Sequence, residues 1–519
     1  MTKLFYSALL FVTSYLSFSC SEKQTTSLPL SSELKVKWEV VTNMYQGKTQ
    51  VLAAFTIYNQ SRMTLENRGW AMFFSQMPPT PIIEDSVRAA KVVHINGDWF
   101  KLIPSKNFRL LPGDSIRINY CGTGFMIKKT DAALGMYFVF YDANDKELGI
   151  VPVVKQIIGD FTRPEQLKRT PEDESVVPTP ASRYASNLNL SLLDETRQNS
   201  IIPTPRFFKN GKEPVLIDKK WQIFYGEGLD SEAGYLIKRL KELTGEDFIS
   251  VKGAPDHLPA FSLQFNSGQR VKSESYQLSI DPKTGIRMEG KDAAGVFYAI
   301  QGFLASLPAS SFQVKKSQLK TTNLQITDEP RFPYRGLQFD MSRNFQTKET
   351  ILKMLDIMAF YKLNHFLFYF MEDEGWRVEI PGLPELTQIG SRRLHGNLSD
   401  PSLHPSYGSG PFADAKDSYG SGYFTSEEFV EMLKFAKERH ITVIPVINFP
   451  AHVRSAIKSM EFRYQRLMKE GKVAEANEYR LIDPDDTFRY ISAQGYHDNV
   501  FCVGRESVYH FYDTAVKGI

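Results

Sequence analysis

Residues Phe368 to Ile380, FYFMEDEGWRVEI, place three consecutive carboxylates, Glu372, Asp373 and Glu374, at the end of an aromatic run. Trp376 and Arg377 follow at once. Neighbouring like charges repel, and desolvating them is costly unless partners are supplied. Such a cluster at the end of an apolar strand is either a solvated loop or a site. Two further apolar stretches also end in polar residues. GLQFD runs out into Asp340, Ser342, Arg343 and Asn344, and ITVIPVINF into Asn448 and His452. Arg343 and His452 are the cations able to partner the carboxylates. Simpler roles stand beside this one: Arg343 pairing only with Asp340, His452 closing a helix entry after Pro450, and Glu374 lying in solvent. No metal-ligand spacing, phosphate loop or nucleophile elbow accompanies these residues.

The elements that must position them alternate. GLQFDMS, HFLFYFM and ITVIPVINF read as short buried strands. Between and after them, KETILKMLDIMAFYKLN sets Ile351, Leu352, Leu355, Met358 and Ala359 on one helical face, and VRSAIKSMEFRYQRLMKEG is a third helix. The middle helix, TSEEFVEMLKFAKERH, opens with Thr425 and Glu428 spaced as a capping box, and Phe424 and Phe429 as a hydrophobic staple. Alternation with continuously apolar strands means parallel β/α units, whose reactive groups lie on loops after the strands' carboxyl ends. The insertion 381–424, with YGSGPF and YGSGYF, falls on that same face and is expected to shape a pocket.

Upstream, residues 31–159 show period-two patterns or short apolar runs, with turn residues between and no helical stretch, the mark of a β-sandwich. Trp38, Trp70 and Trp99 suit its core, with sugar stacking as the alternative. Proline and charge dominate 161–198, which reads as a linker. Strands and helices mix over 201–324, as in a small α+β domain. The expected order is a signal at 1–20, a carbohydrate-binding-like sandwich at 30–160, the linker, an α+β domain at 199–328 and β/α units at 331–519. A chain of 519 residues, 42% hydrophobic, accommodates such a series. Its net charge of +3, without blocks of like charge, gives no sign of nucleic-acid binding. The leading apolar stretch, LFYSALLFVTSYLSFSC, is short for a membrane span and suits a secretory signal. Ending in Cys20 before SEKQTTS, it is similar to a lipoprotein signal, with plain cleavage or a retained anchor as alternatives. Cys121 and Cys502 fall in different expected domains, so a disulfide between them is not expected.

RFPYRGLQFDMSRNF, HFLFYFMEDEGWRVEI and ITVIPVINFPAH resemble, in order and spacing, the first three strand ends of family 20 glycoside hydrolases, the β-N-acetylhexosaminidases. The preceding regions resemble that family's carbohydrate-binding-like sandwich and α+β domain. The resemblance implies a multidomain chain that ends in the first part of a (β/α)8 TIM barrel. It further implies no cofactor, and partners that are glycans ending in N-acetylglucosamine or N-acetylgalactosamine. Arg343 would grip the 3- and 4-hydroxyls of the terminal sugar, with Glu372 and Trp376 beside it as substrate-binding residues. Asp373 and His452 would serve the catalytic machinery. The family's chemistry is substrate-assisted. An Asp-Glu pair is needed for it, usually after a GG at the end of the fourth strand, and no G-D-E string occurs here. The resemblance thus implies an enzyme whose acid lies beyond residue 519, and a chain inactive alone on an aryl N-acetyl-β-glucosaminide. A non-catalytic glycan-binding lipoprotein is the alternative. Asn344, Glu372, Glu374, Val446, Asn448 and Ala451 also depart from the family's usual residues. Export to the outer membrane or periplasm follows from the signal, with membrane contact through the lipid anchor only. Cys20→Ala is expected to move the protein from the membrane to the soluble fraction on cell fractionation, and an unchanged membrane fraction would refute the anchor.

Overall fold

The computed structural model describes residues 28–77, 81–83, 89–191, 201–266, 268 and 272–519. Cys20 and the leading apolar stretch lie outside the described residues. Among those described, no helix is long and apolar enough to cross a membrane.

The N-terminal domain is a sandwich of two five-stranded sheets. One runs in the order Lys155–Ile158, Leu34–Thr42, Gln50–Asn59, Ser115–Thr123, Ile82–Ile83; the other Ala90–Asn96, Trp99–Pro104, Trp70–Gln76, Ala133–Tyr141, Glu147–Pro152. Alternate residues of each, among them Val36, Trp38, Phe55, Met72, Phe74 and Phe100, fill the space between. Strand Trp70–Gln76 breaks the alternation, because all seven of its residues are buried. Its outer face carries a second cluster with Trp99 and Tyr137. His395 and His404 of the insertion pack over these rings. Trp38, Trp70 and Trp99 are therefore all core residues. The start of the proline-rich stretch is not free either. Buried Gln166 donates to the Val40 carbonyl and accepts from the Thr162 and Arg163 amides.

The second domain is a seven-stranded sheet covered by helices Asp230–Thr244 and Ala293–Ala305. Its apolar core continues without a break into the C-terminal domain, where Met341, Leu355, Phe366 and Phe368 belong to the same cluster.

Three strands, β1 (Gly336–Asp340), β2 (His365–Tyr369) and β3 (Thr442–Val446), form a parallel sheet in that order. Helices α1 (Lys348–Phe360), α2 (Ser426–Lys437) and α3 (Arg454–Lys469) follow them. Thr425 accepts from the Glu428 amide and Glu428 reaches back to the Thr425 amide, completing the capping box. Phe424 and Phe429, flanking the cap, both pack on Phe368 of β2. Ile351, Leu355, Met358 and Ala359 are buried on α1, with Leu352 half-buried at the edge. The expectation of strands buried on both faces is corrected. Phe366 and Phe368 lie under helices, whereas Gln338, Leu367 and Ile444, which share the opposite face in register, stay partly exposed. Described helices cover one side of the sheet only. Phe368→Ala should cost about 3–5 kcal/mol by opening a cavity among four rings. Urea denaturation measures it, and a loss below about 1 kcal/mol would mean that the staple does not depend on this ring.

Candidate active site

All three strands deliver their polar termini to one place. β1 turns sharply after Asp340, whose carboxylate accepts the backbone amides of Ser342 and Arg343. That turn aims the Arg343 side chain across the end of β2. Its guanidinium meets three carboxylates: Nη1 is 2.8 Å from Asp340, Nη2 2.9 Å from Glu372 and Nε 3.0 Å from Glu374. The Tyr369 ring lies beside it, 5.6 Å from centroid to Cζ. Burial disfavours the arginine's charge, but Glu374, Glu372 and Asp340 outweigh burial and raise its pKa. Arg343 therefore does much more than pair with Asp340.

The acidic triplet is fully inside, although carboxylates are seldom buried without partners. Glu372 pairs with Arg343 and accepts from the Tyr369 hydroxyl at 2.6 Å and from the Asp373 amide at 3.2 Å. Burial pushes its pKa up, yet His452, Arg343 and Tyr369 together hold it below the usual range. Asp373 accepts the Arg454 amide at 3.1 Å and the Asn499 side-chain amide at 2.9 Å. Glu374, expected in solvent, is only 4% exposed. This is a correction: Tyr496 donates to it at 3.0 Å and Arg343 closes its other side. Burial, with Asp373 and Glu372 adjacent, raises Glu374 to about 7.

His452 sits after β3 in the left-handed backbone region, φ +62°. Its Nδ1 lies 3.2 Å from Glu372 and 3.5 Å from Asp373, an ion-pair contact rather than an aligned hydrogen bond. Asp373 and Glu372 raise it to about 10, so it is an imidazolium at neutral pH. Asn448 braces the same corner, its side-chain oxygen 3.0 Å from the Tyr369 hydroxyl and its amide donating to the Met371 carbonyl. Glu372, Asp373 and His452 bring three potential metal-ligating atoms within 4.8 Å, a grouping that no spacing in the sequence displays. The imidazolium already supplies the positive charge there.

Trp376 is not a substrate-binding residue. It is completely buried, its indole donates to the Val378 carbonyl at 2.6 Å, and its ring packs edge-on against Phe370 and Phe511. The tight hairpin after Glu372 turns it away from the sheet end. The neighbouring Arg377 holds the site's rear. All five of its N–H groups go to carbonyls, those of Met341, Ser342, Ser391, Gly420 and Gly422. Gly375 is required here, because a Cβ would stand 2.5 Å from that guanidinium. Arg393, in the insertion, donates likewise to the carbonyls of Ser342, Arg343, Glu374 and Ser406. Sequence reasoning missed Arg393, Arg454, Tyr496 and Asn499. They lie far along the chain from the triplet and carry no local pattern. The one available signal was that three adjacent acids require more donors than Arg343 and His452 supply.

This arrangement, a cationic fork and an imidazolium held by buried acids at the ends of parallel strands, suits recognition of a neutral polyol at the sheet's carboxyl edge. Comparisons define its class. A model described as glycosyl hydrolase family 20, catalytic domain, matches residues 332–519, and one for domain 2 of the same family matches 198–329. A third, whose description assigns carbohydrate binding only by supposition, matches 33–181. The two family models cover more than half of the chain, which belongs to glycosyl hydrolase family 20. Its architecture is that family's: an N-terminal sandwich, a second domain, then the catalytic domain. The N,N'-diacetylchitobiase of Vibrio harveyi is 35% identical over 97% of this chain and 56% of its own length. The beta-hexosaminidase of Vibrio vulnificus is 33% identical over 83% and 50%. The chain thus spans about half the length of the curated relatives it matches. The solved exo beta-N-acetylglucosaminidase of Vibrio harveyi, in complex with N-acetylglucosamine, shares the fold with a TM-score of 0.70 at 24% identity, over 94% of this chain and 65% of its own.

The His452 pairing has a pH signature. Its pKa is raised from 6.5 to about 10, so its contribution to stability is full below 6.5 and lost as pH rises through 10. Glu374, raised from 4.5 to about 7, acts at lower pH and leaves that window largely clear. Urea midpoints should fall from pH 6.5 to about 10 in the wild type and fall less in His452→Gln. Parallel curves for the two proteins would show that the ion pair carries no stability.

Proposed function

We propose that this site holds the terminal N-acetylhexosamine of a glycan, and that the protein is an exo-acting β-N-acetylhexosaminidase working by substrate-assisted, retaining hydrolysis. The observation that carries the reading is Arg343. Glu374 accepts from its Nε and Asp340 from its Nη1, while Glu372 lies 2.9 Å from Nη2 as an ion pair. Nη1 keeps a second N–H and Nη2 has no aligned acceptor among the described residues, so donors remain for the vicinal 3- and 4-hydroxyls of a pyranose. The carboxylates fix the guanidinium before sugar arrives, so little side-chain entropy remains to be lost on binding. Glu372 and Asp373 orient His452, whose half-exposed imidazolium faces the same end of the sheet.

In this chemistry the acetamido oxygen of the substrate attacks the anomeric carbon and forms an oxazolinium ion, while an acid protonates the departing oxygen. Glu372, Asp373 and Glu374 are poor candidates for that acid. All three are buried, and their oxygens are committed to Arg343, Tyr369, Tyr496, Asn499 and His452. Their role is to position. The relatives' printed names, a diacetylchitobiase and beta-hexosaminidases, support the substrate class. We also propose export and attachment to a membrane surface through Cys20, on the strength of the leading signal-like stretch.

Titration of the 519-residue chain with N-acetylglucosamine tests the binding step. Arg343→Ala should weaken binding about tenfold or more, the loss of hydrogen bonds worth about 1.5–3 kcal/mol from a charged donor. Arg343→Lys keeps the charge among the three acids but loses the fork, and should also bind weakly while remaining folded. Affinity within about twofold of wild type for a folded Arg343→Lys would reduce Arg343 to a structural role.

A further inference from the structure

The sandwich domain reaches the site. The hairpin joining its strands Ala90–Asn96 and Trp99–Pro104 turns at Asn96, Gly97 and Asp98, and both of the polar side chains are buried. They are buried against the catalytic domain. Asn96 donates to Asp498 at 2.8 Å and accepts the His497 amide at 3.1 Å, and the Gly97 amide donates to the Gly495 carbonyl at 2.9 Å. Asp98 accepts the Ser406 hydroxyl and the Tyr407 amide, both at 2.7 Å.

What the turn grips is the segment that orients the acids. Within Gly495–Asn499, Tyr496 donates to Glu374, and Asn499 donates to Asp373. Asp498 binds the Arg454 guanidinium at 2.9 and 3.0 Å, and the backbone amide of Arg454 is the other donor to Asp373. Glu374 is therefore one hydrogen bond from Tyr496, against which the turn packs, and Asp373 is linked to the turn through Arg454 and Asp498. The fit at the turn is close. Gly97 has φ +58°, and a Cβ on it would lie 2.4 Å from the Tyr496 ring and 2.8 Å from its hydroxyl, the group that donates to Glu374.

We propose that the β-sandwich is a positioning element of the catalytic site: its Asn96–Asp98 turn holds segment 495–499, which sets the Asp373 and Glu374 carboxylates and, through them, His452 and Arg343. The turn acts through segment 495–499. The consequence for sugar affinity rests on the functional reading above, whereas the mechanical coupling does not.

Two glycines make the experiment selective. Gly97 and Gly113 both belong to the sandwich and both have positive φ, so alanine strains the backbone at either. A Cβ at Gly113 meets nothing within 4 Å, while one at Gly97 enters Tyr496. Amide hydrogen exchange in the ligand-free chain should be about tenfold faster over peptides spanning 492–502 in Gly97→Ala and unchanged in Gly113→Ala. N-acetylglucosamine should bind about fivefold or more weakly to Gly97→Ala alone, since small displacements of positioned groups are costly. Should Gly97→Ala fail to fold, Asn96→Ala, which removes the Asp498 and His497 contacts without a clash, takes its place under the same criteria. Exchange within about twofold of wild type overturns the coupling, and faster exchange with unchanged sugar affinity overturns the positioning role. If wild type itself does not bind the sugar, the functional reading fails and the exchange comparison alone decides the coupling.

Discussion

Burying charge without leaving it unpaired is the constraint on which this structure depends. Glu372, Asp373, Arg377 and Arg393 are at most 1% exposed, and Glu374 nearly so. Isolated, each would cost several kcal/mol to desolvate. None is isolated. Arg343 and His452 pair with the acids, and nine backbone-carbonyl hydrogen bonds satisfy Arg377 and Arg393. These two arginines lack a carboxylate within ion-pair reach among the described residues, and burial lowers the pKa of each. Their donors go instead to the loops that follow β1 and β2 and to the insertion, which ties separate stretches of chain to one rigid fork.

That solution shapes the architecture around it. The insertion 381–424 lacks regular structure apart from a short helix at Glu385–Gln388, yet much of it is buried. Its inner side supplies carbonyls to Arg377, and its outer side carries His395 and His404 onto the aromatic face of the sandwich. It therefore fills the seam between the first and last domains as well as walling the site. The second domain joins differently, through an apolar core shared with α1 and β2. One junction is polar and specific in geometry, and the other is apolar and adaptable.

Family membership and site geometry meet at the sheet's carboxyl edge. The family match spans the segment that carries Arg343, the acidic triplet and His452. The geometry adds that these residues form one preorganised network, rather than five separate contacts. Glu374 is held near neutral pKa by burial, so a proton gained or lost there changes how strongly Arg343 is held.

The sequence by itself determined the elements and the place of the chemistry. Period-two runs, helical spacing and the Thr425 capping box depend on residues within a few positions of each other, and the structure carries them as strands, helices and a closed cap. Polar residues at three strand ends were enough to point to Arg343, Glu372, Asp373 and His452. Only the tertiary structure decided the environment of each side chain. Trp376, which the resemblance sets beside the substrate, is core, because a two-residue hairpin reverses it toward Phe370 and Phe511. Glu374 looked solvated and is buried, because Tyr496 comes from 122 residues away to meet it. Trp70–Gln76 is buried on both faces, because the insertion covers its outer side. Burial and partnership are properties of segments brought together across the chain. Local pattern records which face of an element is apolar, but not what comes to lie against the other.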